Sequence, residues 1–166
     1  MNRGIVAQVV VWRLALGSWR TVDGEGARLY GGRWNSPGTA MVYAATHISL
    51  ALLEQLVHVS AWLLPERMRA FAVTLPDDAV IEQAAPDEAT DDVEATRRAG
   101  DLWAASLRSA ALIVPSVIVP ARLDPGGIRT TERNVLLNPR HSTAARWGLT
   151  ETSFRLDPRL RREAMT

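Results

Sequence analysis

The sequence predicts one α+β domain, residues 1–166, with central mixed or antiparallel β-sheets and flanking helices. Three observations lead there. A chain of 166 residues, 47% of them hydrophobic, fits a single sizeable core. Short β-branched or apolar runs bounded by Gly, Pro and Asp recur along it and read as strands. Two longer stretches have no internal Pro and read as helices.

Taken in order, Val9 to Leu16 is a mostly buried strand interrupted by Arg13. An arginine there either pairs with a carboxylate in the core or points into an anion-binding pocket, and the pocket is favoured because a second arginine follows in a glycine-rich context. Gly17 to Gly32 has glycine and aspartate-glycine turns and no hydrophobic periodicity, so it reads as a loop. Gly31-Gly32-Arg33 places an arginine where backbone can approach a ligand closely, and Ser36-Pro37-Gly38 turns into a strand from Ala40 to Ala45 that contains Tyr43.

Thr46 is an acceptable N-cap for a helix running to about Trp62. On a wheel of about 100° per residue, Leu50, Leu53 and Val57 form its apolar face, with Glu54 at the edge. His47, Glu54 and His58 share a narrow arc, so the helix offers either a solvated polar edge or the lining of a cleft. Met68 to Leu75 is an alternating strand, Ala79 to Ile81 a short continuation, and Gln83 to Asp92 a surface excursion. Val93 to Ser109 is a helix with Leu102, Trp103 and Leu107 expected in the core. Ala111 to Val119 reads as a strand pair broken at Pro115-Ser116, which presents Ser116 at the break. Pro125-Gly126-Gly127 is a loop, Asn134 to Leu137 a strand, and the remainder has Phe154 as its apolar anchor and an arginine-rich tail.

Composition and motifs set several chemistries aside. Without cysteine there are no disulfides or thiolate metal sites. Without lysine there is no Schiff base and no P-loop. Ser116 is not in a G-x-S-x-G elbow, and no G-x-G-x-x-G follows a strand. His47, Glu54 and His58 do not have H-E-x-x-H spacing, so no metal is expected. A net charge of +1 gives no reason to expect direct nucleic-acid binding. Charge is uneven: eight acids and no arginine lie between Asp77 and Glu94, and from Arg122 onward nine arginines face five acids. The apolar run near the amino terminus is too short to span a membrane, and a cytoplasmic location is expected.

Trp12-Arg13, GGRWNSPG from Gly31 to Gly38, VYAA from Val42 to Ala45, ALLEQLVH from Ala51 to His58, VPS from Val114 to Ser116 and LLNPRH from Leu136 to His141 stand in an order that resembles the RES domain, over about residues 12–141. The resemblance implies an ADP-ribosyltransferase-like fold and the toxin half of a toxin–antitoxin pair, partnered by an Xre-type helix-turn-helix antitoxin. It implies NAD+ as substrate, cleaved at the nicotinamide–ribose bond by hydrolysis, phosphorolysis or ADP-ribose transfer to a protein. By motif position it assigns the active-site arginines to Arg13 and Arg33, the tyrosine to Tyr43, the glutamate to Glu54 and the serine to Ser116; His58, one turn from Glu54, is placed to assist. Glu54, Tyr43 and Ser116 are thereby the catalytic candidates, and Arg13, Arg33, Tyr43, Ser116 and His58 the NAD+-binding ones. The alternative is a non-catalytic binding module whose basic carboxy-terminal half meets an acidic partner or nucleic acid.

Overall fold

A computed structural model describes residues 8–16, 21–59, 64–84, 92–120, 122–123 and 127–161. Its elements are β1 (Val10–Ala15), α1 (Glu25–Tyr30), β2 (Val42–Ala45), α2 (Ile48–His58), β3 (Arg67–Thr74), β4 (Ile81–Gln83), α3 (Val93–Ser106), β5 (Ala111–Val114), β6 (Arg122–Leu123), β7 (Ile128–Arg129), β8 (Asn134–Leu137) and β9 (Gly148–Arg155). Seven strands form one mixed sheet in the order β4-β5-β8-β2-β1-β3-β9, and β6 pairs with β7 in a small ladder. Every pairing in the large sheet is antiparallel except β4 with β5. The α+β expectation is met.

The sheet is sandwiched by apolar clusters. Val11, Ala15, Val42, Phe71, Val73, Val135 and Leu137 form one. Leu14, Ala45, Met68 and Ala70 meet Leu50 and Ala51 of α2 in a second, and Leu112, Val114 and Leu136 meet Trp103 and Ala104 of α3 in a third. β1, β2, β3, β5 and β8 therefore feed both faces by their period-2 alternation. Among the described residues no helix is long and apolar enough to cross a membrane.

A fork positions the site. β1 joins β3 through six register positions but meets β2 at only one, Trp12 opposite Ala45. Beyond that point the two strands part, and an Arg13 guanidinium nitrogen donates to the Tyr43 carbonyl (3.2 Å), supplying a hydrogen bond that no ladder provides there.

Several sequence expectations are corrected. Within the stretch read as a loop, Glu25–Tyr30 is a helix, flanked by Gly24 and Gly31 at φ 73° and 72°; at six residues it is too short for a periodic signal, while residues 17–20 lie outside the described set. α2 stops at His58 with Val59 extended, and its N-cap is His47 rather than Thr46. The Thr46 hydroxyl is engaged elsewhere, accepting from the Arg133 amide at 3.0 Å. Leu53 and Val57 are exposed; Leu50 and Ala51 face the core, because the helix is turned so that Glu54 meets the fork. α3 ends at Ser106, and Leu102 is 73% exposed. Its packed stripe is Thr96, Gly100, Trp103 and Ala104.

The segment Ala111 to Val119 is one strand, not two. β5 ends at Val114, and the Ser116 hydroxyl accepts from the amides of Ile118 (3.0 Å) and Val119 (3.1 Å), closing a turn that takes the place of a second strand. The carboxy-terminal region holds an eight-residue strand, β9, paired with β3 throughout. Leu156 anchors it in the core, and Phe154 is only partly buried. The far end of the arginine-rich tail, residues 162–166, lies outside the described set, as does 85–91 of the acidic excursion.

Candidate active site

A cavity of about 590 Å³ opens in the fork between β1 and β2. Trp12 to Leu16 form one wall and Tyr43 to Ala45 the other; Gly31 to Trp34 roof it, and Glu54 and His58 of α2 reach it from the side. Its size lies within the range of sites that hold small molecules and cofactors.

Glu54 is fixed by two donors. The Asn134 side-chain amide donates to Oε1 at 2.6 Å, and the Ser116 hydroxyl donates to the same oxygen at 3.1 Å. Because Ser116 Oγ also accepts two backbone amides, its own proton is left for the carboxylate. The carboxylate expected at the edge of an apolar face thus has its reason: it is held against the cavity by a strand residue and a turn residue 80 and 62 positions away.

Arg13 lies in the opposite wall. Burial depresses its pKa, and the charge of Asp23 works against that effect. Its buried Nε–H has no acceptor among the described residues. Arg13 also lines the cavity, which sets a fixed positive charge beside any anion that enters.

The Gly31-to-Ser36 loop carries Arg33 to the cavity and is clamped by α3. Thr96 Oγ1 donates to the Arg33 carbonyl (2.7 Å), Arg97 Nε donates to the Gly32 carbonyl (2.7 Å), and Asp101 accepts from the Ser36 amide (3.0 Å). Gly100 lets the helix approach: a Cβ there would lie 1.8 Å from the Trp34 carbonyl oxygen.

Tyr43 is locked into the same loop. Its hydroxyl donates to Asn35 Oδ1 (2.8 Å) and accepts from the Trp34 amide (2.9 Å). Asn35, fully buried, spends its amide nitrogen on the carbonyls of Ala27, Ser36 and Thr39. Burial pushes the phenol pKa up, the Trp34 amide bond opposing it, so at neutral pH the hydroxyl is a protonated fastener. What Tyr43 leaves for a ligand is ring surface.

The structure therefore brings Arg13, Arg33, Tyr43, Glu54 and His58 to one cavity. Ser116 sits just behind it, 4% exposed, with its neighbours Pro115 and Val117 in the lining; its hydrogen bonds run to Glu54 and to backbone. His47 is not part of the group: it is exposed and its ring contacts Thr46. Among the described residues, no cluster of three or more His, Cys, Asp or Glu is placed to hold a metal ion.

Sequence reasoning missed Asn134, Asn35 and the clamp of Thr96, Arg97 and Asp101. An amide opening an apolar strand was the available sign for Asn134. In the basic carboxy-terminal half, Arg146 pairs with Asp78, Arg155 with Glu66 and Arg159 with Asp157.

Residues 10–157 match the family model described as the RES domain. Among curated relatives, the chain is 38% identical to the Prs ADP-ribosylating toxin of Sphingobium sp., over 92% of this chain and 97% of the relative. It is 35% identical to Toxin Res of Yersinia enterocolitica, over 93% and 97%. Among solved structures, the Mycobacterium tuberculosis MbcT–MbcA toxin–antitoxin complex contains a chain of the same fold (TM-score 0.62, 21% identity, covering 93% of this chain and 87% of that one).

Proposed function

This chain belongs to the RES-domain family of toxins, and from that premise we propose that its cavity binds NAD+ and cleaves the nicotinamide–ribose bond. The observation that carries this reading is a single carboxylate, held by two donors, at the wall of a cavity that two arginines also line.

NAD+ joins two nucleotides through a pyrophosphate, and planar guanidinium groups suit that anion better than point charges. Arg13, in the cavity wall, and Arg33, on the clamped loop, are assigned to it. The cationic nicotinamide ring lies against the face of Tyr43. Glu54 acts on the ribose. As the C–N bond breaks, nicotinamide leaves with the bonding pair and becomes neutral, and positive charge grows on the ribose carbon. A carboxylate placed there stabilises the transition state more than the ground state. A nucleophile then adds to that carbon and gives up its proton, which Glu54 is placed to accept.

Ser116 serves by orienting Glu54, and His58, at the carboxy-terminal end of α2, faces the entering groups. The name of the Sphingobium relative favours a protein as acceptor of ADP-ribose; water and phosphate are the competing acceptors. The toxin–antitoxin neighbour favours an antitoxin partner; we take that partner to be of the Xre helix-turn-helix type and the site of action to be cytoplasmic.

The test uses purified protein and NAD+ labelled in its adenylate half, with and without phosphate and bacterial lysate. Nicotinamide release with label moving to a protein band supports transfer. Release with label kept on small molecules supports hydrolysis, or phosphorolysis if phosphate is required. No release under any condition overturns the proposal.

A further inference from the structure

We propose that Asn134 is a positioning residue that decides which oxygen of Glu54 the cleft offers to the reacting ribose; the inference rests on the NAD+-cleaving reading above. Both donors to Glu54 converge on Oε1, Asn134 at 2.6 Å and Ser116 at 3.1 Å, and among the described residues no donor is recorded on Oε2. Oε1 is thereby a structural anchor and Oε2 the working oxygen.

The strand makes Asn134 a stiff support. It opens β8 in register with Ala45 on one side and Val114 on the other, so its backbone is held between two neighbouring strands. Its amide orientation follows from chemistry. Turning the carboxamide over would put Oδ1 against a carboxylate oxygen at 2.6 Å, two acceptors with no proton between them. Both donors are spent on Oε1, so that oxygen is committed to holding the side chain and Oε2 is the one left toward the cavity.

Asn134→Asp keeps the shape and replaces the donor with a second carboxylate. The two carboxyls must then share one proton, and the arrangement is restored only when the aspartic acid is protonated and donates to Glu54. Filling space would be conserved in this variant; donating would not.

The experiment measures nicotinamide release from NAD+ across pH for wild type, Asn134→Asp and Asn134→Ala. In parallel, NAD+ binding to each protein is measured by calorimetry, which reads out whether or not the protein turns over. Expected for Asn134→Ala is a fall in kcat of about 10²-fold with KM and Kd changed by less than about threefold. Expected for Asn134→Asp is weak release at neutral pH that rises on acidification. A kcat for Asn134→Ala within about threefold of wild type, or wild-type release by Asn134→Asp at neutral pH, overturns the proposal. Wild type that binds NAD+ and releases no nicotinamide overturns the functional reading, and the role of Asn134 falls with it.

Discussion

Replacing Gly100 by alanine reverses the sign that helix propensity alone assigns to the change. Gly100 lies inside α3, where alanine is favoured by about 1 kcal/mol. The added Cβ, however, would stand 1.8 Å from the Trp34 carbonyl oxygen, a backbone atom that no rotamer change can move aside. Reaching even 3.0 Å needs a displacement of about 1.2 Å between helix and loop. The bonds of Thr96 and Arg97 to the Arg33 and Gly32 carbonyls, both 2.7 Å, would then stretch beyond hydrogen-bonding range. Two such bonds contribute about 1 kcal/mol each, and overpacking costs about 1–3 kcal/mol, leaving a net loss of ~3 kcal/mol after the propensity gain. For a domain of this size that lowers Tm by about 6–12 °C. Thermal unfolding followed by circular dichroism reads the loss. NAD+ titration of the folded variant reads the functional half, a KM raised because the loop that presents Arg33 is no longer clamped. A Tm equal to or above wild type would refute the close approach of α3 to the loop.

Two further predictions concern the arginine and the tyrosine of the cavity. Arg13→Met removes a buried charge and with it the hydrogen bond to the Tyr43 carbonyl, two effects of opposite sign, so Tm should change by no more than a few degrees while NAD+ affinity falls at least about tenfold; a large loss of stability with affinity intact would contradict the anion-binding role, and calorimetry with thermal unfolding checks both. Tyr43 has its folded-state pKa raised by burial, so it stays protonated in the native protein while the unfolded chain releases that proton above about pH 10. Its contribution to stability is therefore complete below the unfolded pKa and lost as pH rises above it. Denaturant unfolding at stepped alkaline pH should show this limb in wild type and not in Tyr43→Phe; identical alkaline slopes would sink the claim.

The parts of the fold that were legible in the sequence are those whose side chains carry the signal. β1, β3, β5 and β8 are apolar and β-branched because they are covered on both faces, and α2 announces itself by a long run of helix formers. β9 was not legible because backbone pairing to β3 holds it, and nearly all its side chains are exposed. α1 was hidden by its length, and the exposure of Leu102 by a helix whose docking face must be thin where it meets the Trp34 backbone.

For the site, an arginine inside a buried strand and a glutamate beside leucines were visible as costly placements that require a partner. Their partners were not. Asn134 is 80 positions from Glu54, and only the register of β8 between β2 and β5 brings it within 2.6 Å. Ser116 was legible as the residue at a break in an apolar run. Its two amide bonds and its bond to Glu54 required the turn itself. The tyrosine hydroxyl is consumed by Asn35 and Trp34, partners set by loop geometry that no spacing encodes.

The central claim is that Glu54 acts on the breaking nicotinamide–ribose bond and is not needed to hold the fold or the dinucleotide. Glu54→Gln is the direct probe, because its carbonyl oxygen still accepts from Asn134 and Ser116 while the charge is gone. The measurement is nicotinamide release and NAD+ binding by calorimetry on the same preparation. The structure predicts a loss of kcat of at least about 10²-fold with Kd and Tm close to wild type. Release that persists near the wild-type rate in Glu54→Gln, with binding unchanged, would contradict it.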